Sequence, residues 1–157
     1  MYKKILVPLD GSKLAECALP HAEELAKSGD TEEVILVSVT ERLQGYRAFE
    51  DPGQPLGQQL VPEAFGKKEK QAQKYLGRIA KAMEAEGIKV STEVLMGDPA
   101  GEIVIYAKHP GCDIIVMSSH GRTGPSRWAH GSVADRIFRG SPVPVLMVKA
   151  PGCAPGI

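Results

Sequence analysis

The stretch Ile114 to Ser132, IIVMSSHGRTGPSRWAHGS, decides how the chain is read. It opens with the apolar run Ile114 to Met117, which reads as a buried strand. A small, polar, glycine-bearing segment follows, from Ser118 to His130. Gly131, Ser132 and Val133 then start a helix. A strand passing through such a loop into a helix N-terminus is an arrangement that holds phosphate. The first helical N–H groups lack partners within the helix, and the loop backbone can come close to an anion. Small residues suit the loop, because a Cβ would block that approach.

Outward from this stretch, strands alternate with helices. Lys4 to Leu9, KILVPL, is a short apolar strand, and Pro8 stands near its end, where a missing N–H is tolerated. Asp10-Gly11-Ser12 closes it. Asp10 is thus an acid at the strand's C-terminal end, and Ser12 suits the N-cap of the next helix. That helix is expected from about Lys13 to Lys27, with Leu14, Ala18, His21, Ala22 and Leu25 on one face. Pro20 inside it costs about 3 kcal/mol, so it is either one bent helix or two short pieces. His21 falls on the apolar stripe or its edge, as a packed structural histidine.

Glu33 to Val39 is the second strand. From Thr40 to Phe65 all periodicity breaks, with Gly45, Pro52, Gly53, Pro55, Gly57 and Pro62 as punctuation. A loop of that length is either functional, here a lid over the site that could dock through Tyr46 or Phe49, or disordered. Lys67 to Glu86 is the clearest helix, with a stripe of Ala72, Tyr75, Leu76, Ile79 and Met83, and Gly87 as its stop. Lys89 to Leu95 alternates polar and apolar residues, as an edge strand does. Pro99 suits the first turn of a helix running to Lys108. Asp113 to Met117 is the fourth strand, Val133 to Arg139 a short helix, and Val145 to Lys149 the fifth strand.

This alternation implies an α/β fold, a parallel sheet with helices on both faces. Its ligand crevice lies outside the C-terminal strand ends, where strand order reverses. The 157 residues fit one domain over 1–150 and a frayed tail over 151–157. Nineteen basic and nineteen acidic side chains cancel, which removes the usual electrostatic case for nucleic acid or an anionic membrane as main partner. No apolar run is long enough to span a membrane. Ile5 to Leu9 is too short for a signal-peptide core, so a cytoplasmic protein is expected. Cys17, Cys112 and Cys153 form no metal motif or disulfide framework. They read as reduced thiols, Cys17 buried and Cys153 exposed in the tail.

The spacing Ser118, two residues, Gly121, nine residues, Gly131-Ser132 resembles the ATP-binding signature of the universal stress protein family, with Ser118 in place of the signature's first glycine. The resemblance extends over essentially the whole chain. It implies a three-layer, doubly wound, five-stranded parallel sheet of order 3-2-1-4-5, like that of the adenine nucleotide alpha hydrolases. Strands one and four are then neighbours, which puts Asp10 beside the loop after Met117. The family tolerates a proline where Pro20 stands, which favours one bent helix. Its Gly-x-Pro element is matched by Gly97 and Pro99, its adenine-reading backbone position by Val39, and a nucleotide contact by Met117.

The candidate nucleotide-binding set is therefore Pro8, Leu9, Asp10, Val39, Gly97, Met117, Ser118, His120, Gly121, Arg122, Gly131, Ser132 and Val133. Ser132 would bind phosphate or cap its helix, or do both. Asp10 would hold a divalent ion, Mg2+ or Mn2+, or accept a bond from a ribose. Arg122 and Arg127 could neutralise phosphate, and His130 could sense its charge. Serine at position 118 is costly if the backbone there needs a positive φ. No P-loop, dinucleotide fingerprint or nucleophile elbow is present, and Ser119, His120 and Asp113 do not suit a triad. The resemblance implies ATP, ADP or AMP as ligand, a regulatory role with slow hydrolysis at most, and a homodimer paired through Val145–Val148. Two alternatives stay open: a homodimeric interaction protein that binds no nucleotide, and a slow ATPase.

Overall fold

The computed structural model describes residues 2–40, 57–108, 111–120 and 132–149, the segment 57–65 by its backbone alone. Five strands make one parallel sheet: β1 (Lys4–Pro8), β2 (Glu33–Thr40), β3 (Val90–Met96), β4 (Ile114–Ser118) and β5 (Val145–Val148). Their order is β3-β2-β1-β4-β5. Among the described residues four α-helices accompany them: α1 (Leu19–Ser28), α2 (Gly57–Ala85), α3 (Pro99–Lys108) and α4 (Ser132–Gly140). The three-layer architecture and strand order are those that the resemblance implies.

Strand periodicity divides the core in two. On one face Ile5, Val7, Val34, Leu36, Ile114 and Val116 pack against Ala22 of α1 and Leu76, Ile79 and Met83 of α2. On the other, Leu6, Ile35, Val37, Ile115 and Met117 pack against Ala100, Ile103 and Ala107 of α3 and Ala134 and Ile137 of α4. β1 sits between β2 and β4, with Ile5 opposite both Val34 and Ile114. Strands buried on both faces need apolar residues at successive positions, hence the runs Ile5–Leu9 and Val34–Val37. β3 lies at the edge as expected, but its burial does not alternate: the neighbours Thr92 and Glu93 are both exposed, and Val94 and Leu95 are both half-buried.

Several local expectations are corrected. The first helix is in two pieces, a 3₁₀ turn at Ala15–Ala18 and then α1. Pro20 is the second residue of α1, where its missing N–H would have had no helical partner, so the break falls before the proline and no bend is needed. The break also rotates His21 off the stripe, and it is exposed. Cys17, in the 3₁₀ turn, is only half-buried, its thiol 3.6 Å from the Lys13 carbonyl oxygen. Helix α2 starts at Gly57, ten residues before the expected Lys67, and runs through Gly57 and Pro62, which the sequence marks as breakers. Adding residues to a helix whose body has formed avoids the cost of nucleation, although Pro62 still removes one helical hydrogen bond. The rest of the expected 40–65 loop beyond Thr40, with Tyr46 and Phe49, lies outside the described residues, as does the tail.

Candidate functional site

β1 and β4 are adjacent, yet the chain leaves β1 toward β2 on one side and reaches β5 on the other. Their C-terminal ends therefore open a crevice that no crossover covers. A cavity of about 220 Å3 occupies it. Its apolar lining includes Val37 and Val39 of β2, Ile103 of α3, Met117 of β4, Ala134 and Ile137 of α4, and Ala15. Its polar rim holds Asp10, Ser118, Ser119, His120 and Ser132.

Most of the sequence-derived candidates meet here: Pro8, Leu9, Asp10, Val39, Met117, Ser118, His120, Ser132 and Val133 all line the cavity. Gly97 does not. Its φ of +137° and the 3.0 Å approach a Cβ would make to Glu102 Oε1 give it a backbone reason to be glycine. Its N–H donates to the Thr40 carbonyl at 3.0 Å. Gly121, Arg122, Arg127, His130 and Gly131 lie outside the described residues. Ala15, Val37, Pro99, Ile103, Ser119, Ala134 and Ile137 also line the cavity, and the sequence did not single them out for it.

Asp10 is held by a local turn. Its Oδ1 accepts the Ser12 N–H at 2.9 Å and the Ser12 hydroxyl at 2.5 Å. Ser12 Oγ in turn accepts the Ala15 N–H at 3.1 Å, capping the 3₁₀ turn. Gly11 makes the bend at a φ of +87°. From the opposite face, the buried Tyr75 hydroxyl is kept protonated by desolvation first, then by the carboxylates of Glu16 and Asp10.

At the end of β4, Ser118 has ordinary extended backbone, and no non-glycine residue among those described has a positive φ. Serine here costs no strain. Its hydroxyl faces the His120 N–H at 3.4 Å. Ser119 and His120 are buried and joined Oγ to Nδ1 at 3.0 Å. The two neighbours pair with each other. They do not extend to a triad with Asp113, which lies before β4 and accepts the backbone N–H groups of Lys3 and Lys4.

Among the described residues, Asp10 is the one carboxylate of the cavity lining, and no group of three or more His, Cys, Asp or Glu could hold a metal ion. A divalent ion would fit only as one shared with ligand phosphates, the usual way Mg2+ is held. No helix among the described residues is long and apolar enough to cross a membrane.

The model of the universal stress protein family matches residues 1–149. The chain belongs to the universal stress protein family. Universal stress protein MJ0531 of Methanocaldococcus jannaschii is 37% identical over 155 residues, covering 96% of this chain and 84% of the relative. MJ0577 of the same organism is 37% identical over 164 residues, covering 95% and 96%. A solved structure of MJ0577 superposes with a TM-score of 0.80 at 36% identity, again over 95% and 96%. A universal stress protein solved in complex with cAMP superposes with a TM-score of 0.62 over 95% of this chain and 98% of the other; at 20% identity that likeness is one of fold alone.

Proposed function

We propose that this chain binds an adenine nucleotide, ATP or its hydrolysis products, and acts as a nucleotide-gated regulator in a stress response. The observation that carries this is the cavity between β1 and β4, apolar within and polar at one rim. Its volume of about 220 Å3 is below the ~300–1,000 Å3 of pockets that enclose a drug-sized ligand whole. It suits a compact, largely apolar base between Val37, Val39, Ile103 and Met117, with the charged end left at the rim. There α4 begins at Ser132; the first N–H groups of a helix have no partner within it, and phosphate is their natural occupant.

Asp10, opposite, would accept a ribose hydroxyl or share a Mg2+ ion with the phosphates. Pro8 and Leu9 line the cavity with it, Gly121 and Gly131 complete the signature in sequence, and Arg122 follows Gly121. The unstrained backbone at Ser118 supports binding despite the glycine-to-serine exchange. The protein is read as one cytoplasmic domain that dimerises through β5.

Titration calorimetry with ATP and Mg2+ on protein stripped of nucleotide tests the reading. Micromolar binding that is lost in Gly131→Asp supports it. Absence of binding at millimolar ATP overturns it in favour of a dimeric interaction protein.

A further inference from the structure

Two walls of the cavity are the N-terminal parts of different helices. α3 supplies Pro99 and Ile103, and α4 supplies Ser132, Val133, Ala134 and Ile137. Deeper in, apolar packing joins the two helices. At the solvent edge a two-pronged ion pair crosses between them. Arg136 Nη1 donates to Asp98 Oδ1 at 2.9 Å, and Nη2 donates to Oδ2 at 2.6 Å. Parallel prongs fix direction as well as distance, which a point charge does not.

The carboxylate is itself anchored. Asp98 Oδ2 accepts the Gly101 N–H at 3.0 Å, capping the first turn of α3. A Cβ on Gly101 would stand 3.0 Å from that oxygen, so glycine keeps the approach open. Arg136 lies one turn into α4 beyond Ser132, so holding Arg136 holds the end of α4 that borders the rim. The Arg136 guanidinium first, then the Gly101 N–H, keeps the Asp98 carboxyl below the ordinary carboxylate range.

We propose that the Asp98–Arg136 fork straps α3 to α4 and sets the width of the cavity between them, which makes both side chains positioning residues for the ligand. This rests on the nucleotide reading given above. Both side chains are more than half exposed, so the pair adds little to global stability. Its effect is on the spacing of two walls that the ligand must touch together.

The test compares Asp98→Asn, Arg136→Gln and the double variant, titrated with adenosine and with ATP. Asparagine keeps one oxygen for the Gly101 N–H, removes the charge and puts an NH2 donor where the other prong had its acceptor. Each single variant is expected to weaken both ligands by the same factor, about two- to fivefold. The double variant should be no weaker than the worse single, and melting temperatures should shift by only a few degrees. The sign is diagnostic, because removing a negative charge beside the site would by electrostatics alone tighten ATP. Unchanged or tighter binding, a loss confined to ATP, or additive losses would each overturn the strap. If the wild-type protein binds neither ligand, the nucleotide reading fails, and the strap is judged by hydrogen exchange. Faster exchange at residues 99–103 and 133–137 in both single variants sustains it, and unchanged exchange overturns it.

Discussion

Ser119 Oγ stands 3.0 Å from Nδ1 of His120, and both side chains are buried where β4 meets the cavity. The pair locks the imidazole at the polar rim, and the Ser119 N–H locks the backbone by donating to the Val148 carbonyl of β5 at 2.8 Å. Removing the hydroxyl takes one partner from a buried ring, which costs about 1–3 kcal/mol. Ser119→Ala should therefore unfold at lower urea with an unchanged m-value. A shift worth less than about 0.5 kcal/mol would mean the ring finds an equivalent partner.

Ser118 makes a second prediction with the opposite expectation. Its backbone is extended and its side chain buried, so glycine has no strain to relieve. Ser118→Gly should leave nucleotide affinity unchanged and lower stability by about 0.5–1 kcal/mol, through the freedom glycine gains in the unfolded chain. Calorimetric titration and urea denaturation read the two effects separately. A variant that gains affinity where the natural chain has none would support the interaction-protein alternative.

The site residues were legible in the sequence only where a spacing or a junction marks them. Ser118 and Ser132 could be placed in the site because a glycine spacing and a strand–loop–helix junction mark them. Ile5–Leu9 and Val34–Val37 announce a sheet buried on both faces, because continuous apolar runs have no other economical use in so short a span. Val37, Ile103, Ala134 and Ile137 line the cavity yet carry no such mark. An apolar side chain looks the same in sequence whether it faces another side chain or a void. Pro20 was misplaced for a related reason, since a proline excludes a helix interior but does not say on which side the helix resumes. The start of α2 was hidden by Gly57 and Pro62, whose local preferences the longer helix overrides.

Cys112 provides a prediction about pH. Burial pushes its thiol up to about 11 from an ordinary 9.0. A raised pKa on an acid means the folded state holds its proton longer than the unfolded one. The associated stability is complete below pH 9.0 and is lost as pH rises toward about 11. At neutral pH the buried, protonated thiol should resist iodoacetamide, while the half-buried Cys17 reacts. Peptide mapping after timed alkylation checks this. Labelling of Cys112 in native protein as fast as in urea would contradict it.

The last prediction concerns β5, which closes the sheet on the side of β4 and is paired along only one edge among the described residues. Its residues are half-exposed, and Leu146 is 38% exposed. An apolar strand with an open edge is a template for a second strand, and proteins that keep such an edge single guard it with charge or proline. Val145–Val148 contains neither. Pairing of two copies along this edge would satisfy the backbone groups and cover Leu146 together. Sedimentation equilibrium should therefore give a dimer, and Leu146→Lys should shift it to monomer without changing the far-ultraviolet circular dichroism. A wild-type chain that sediments as a monomer at every concentration would rule this edge out as a self-association surface.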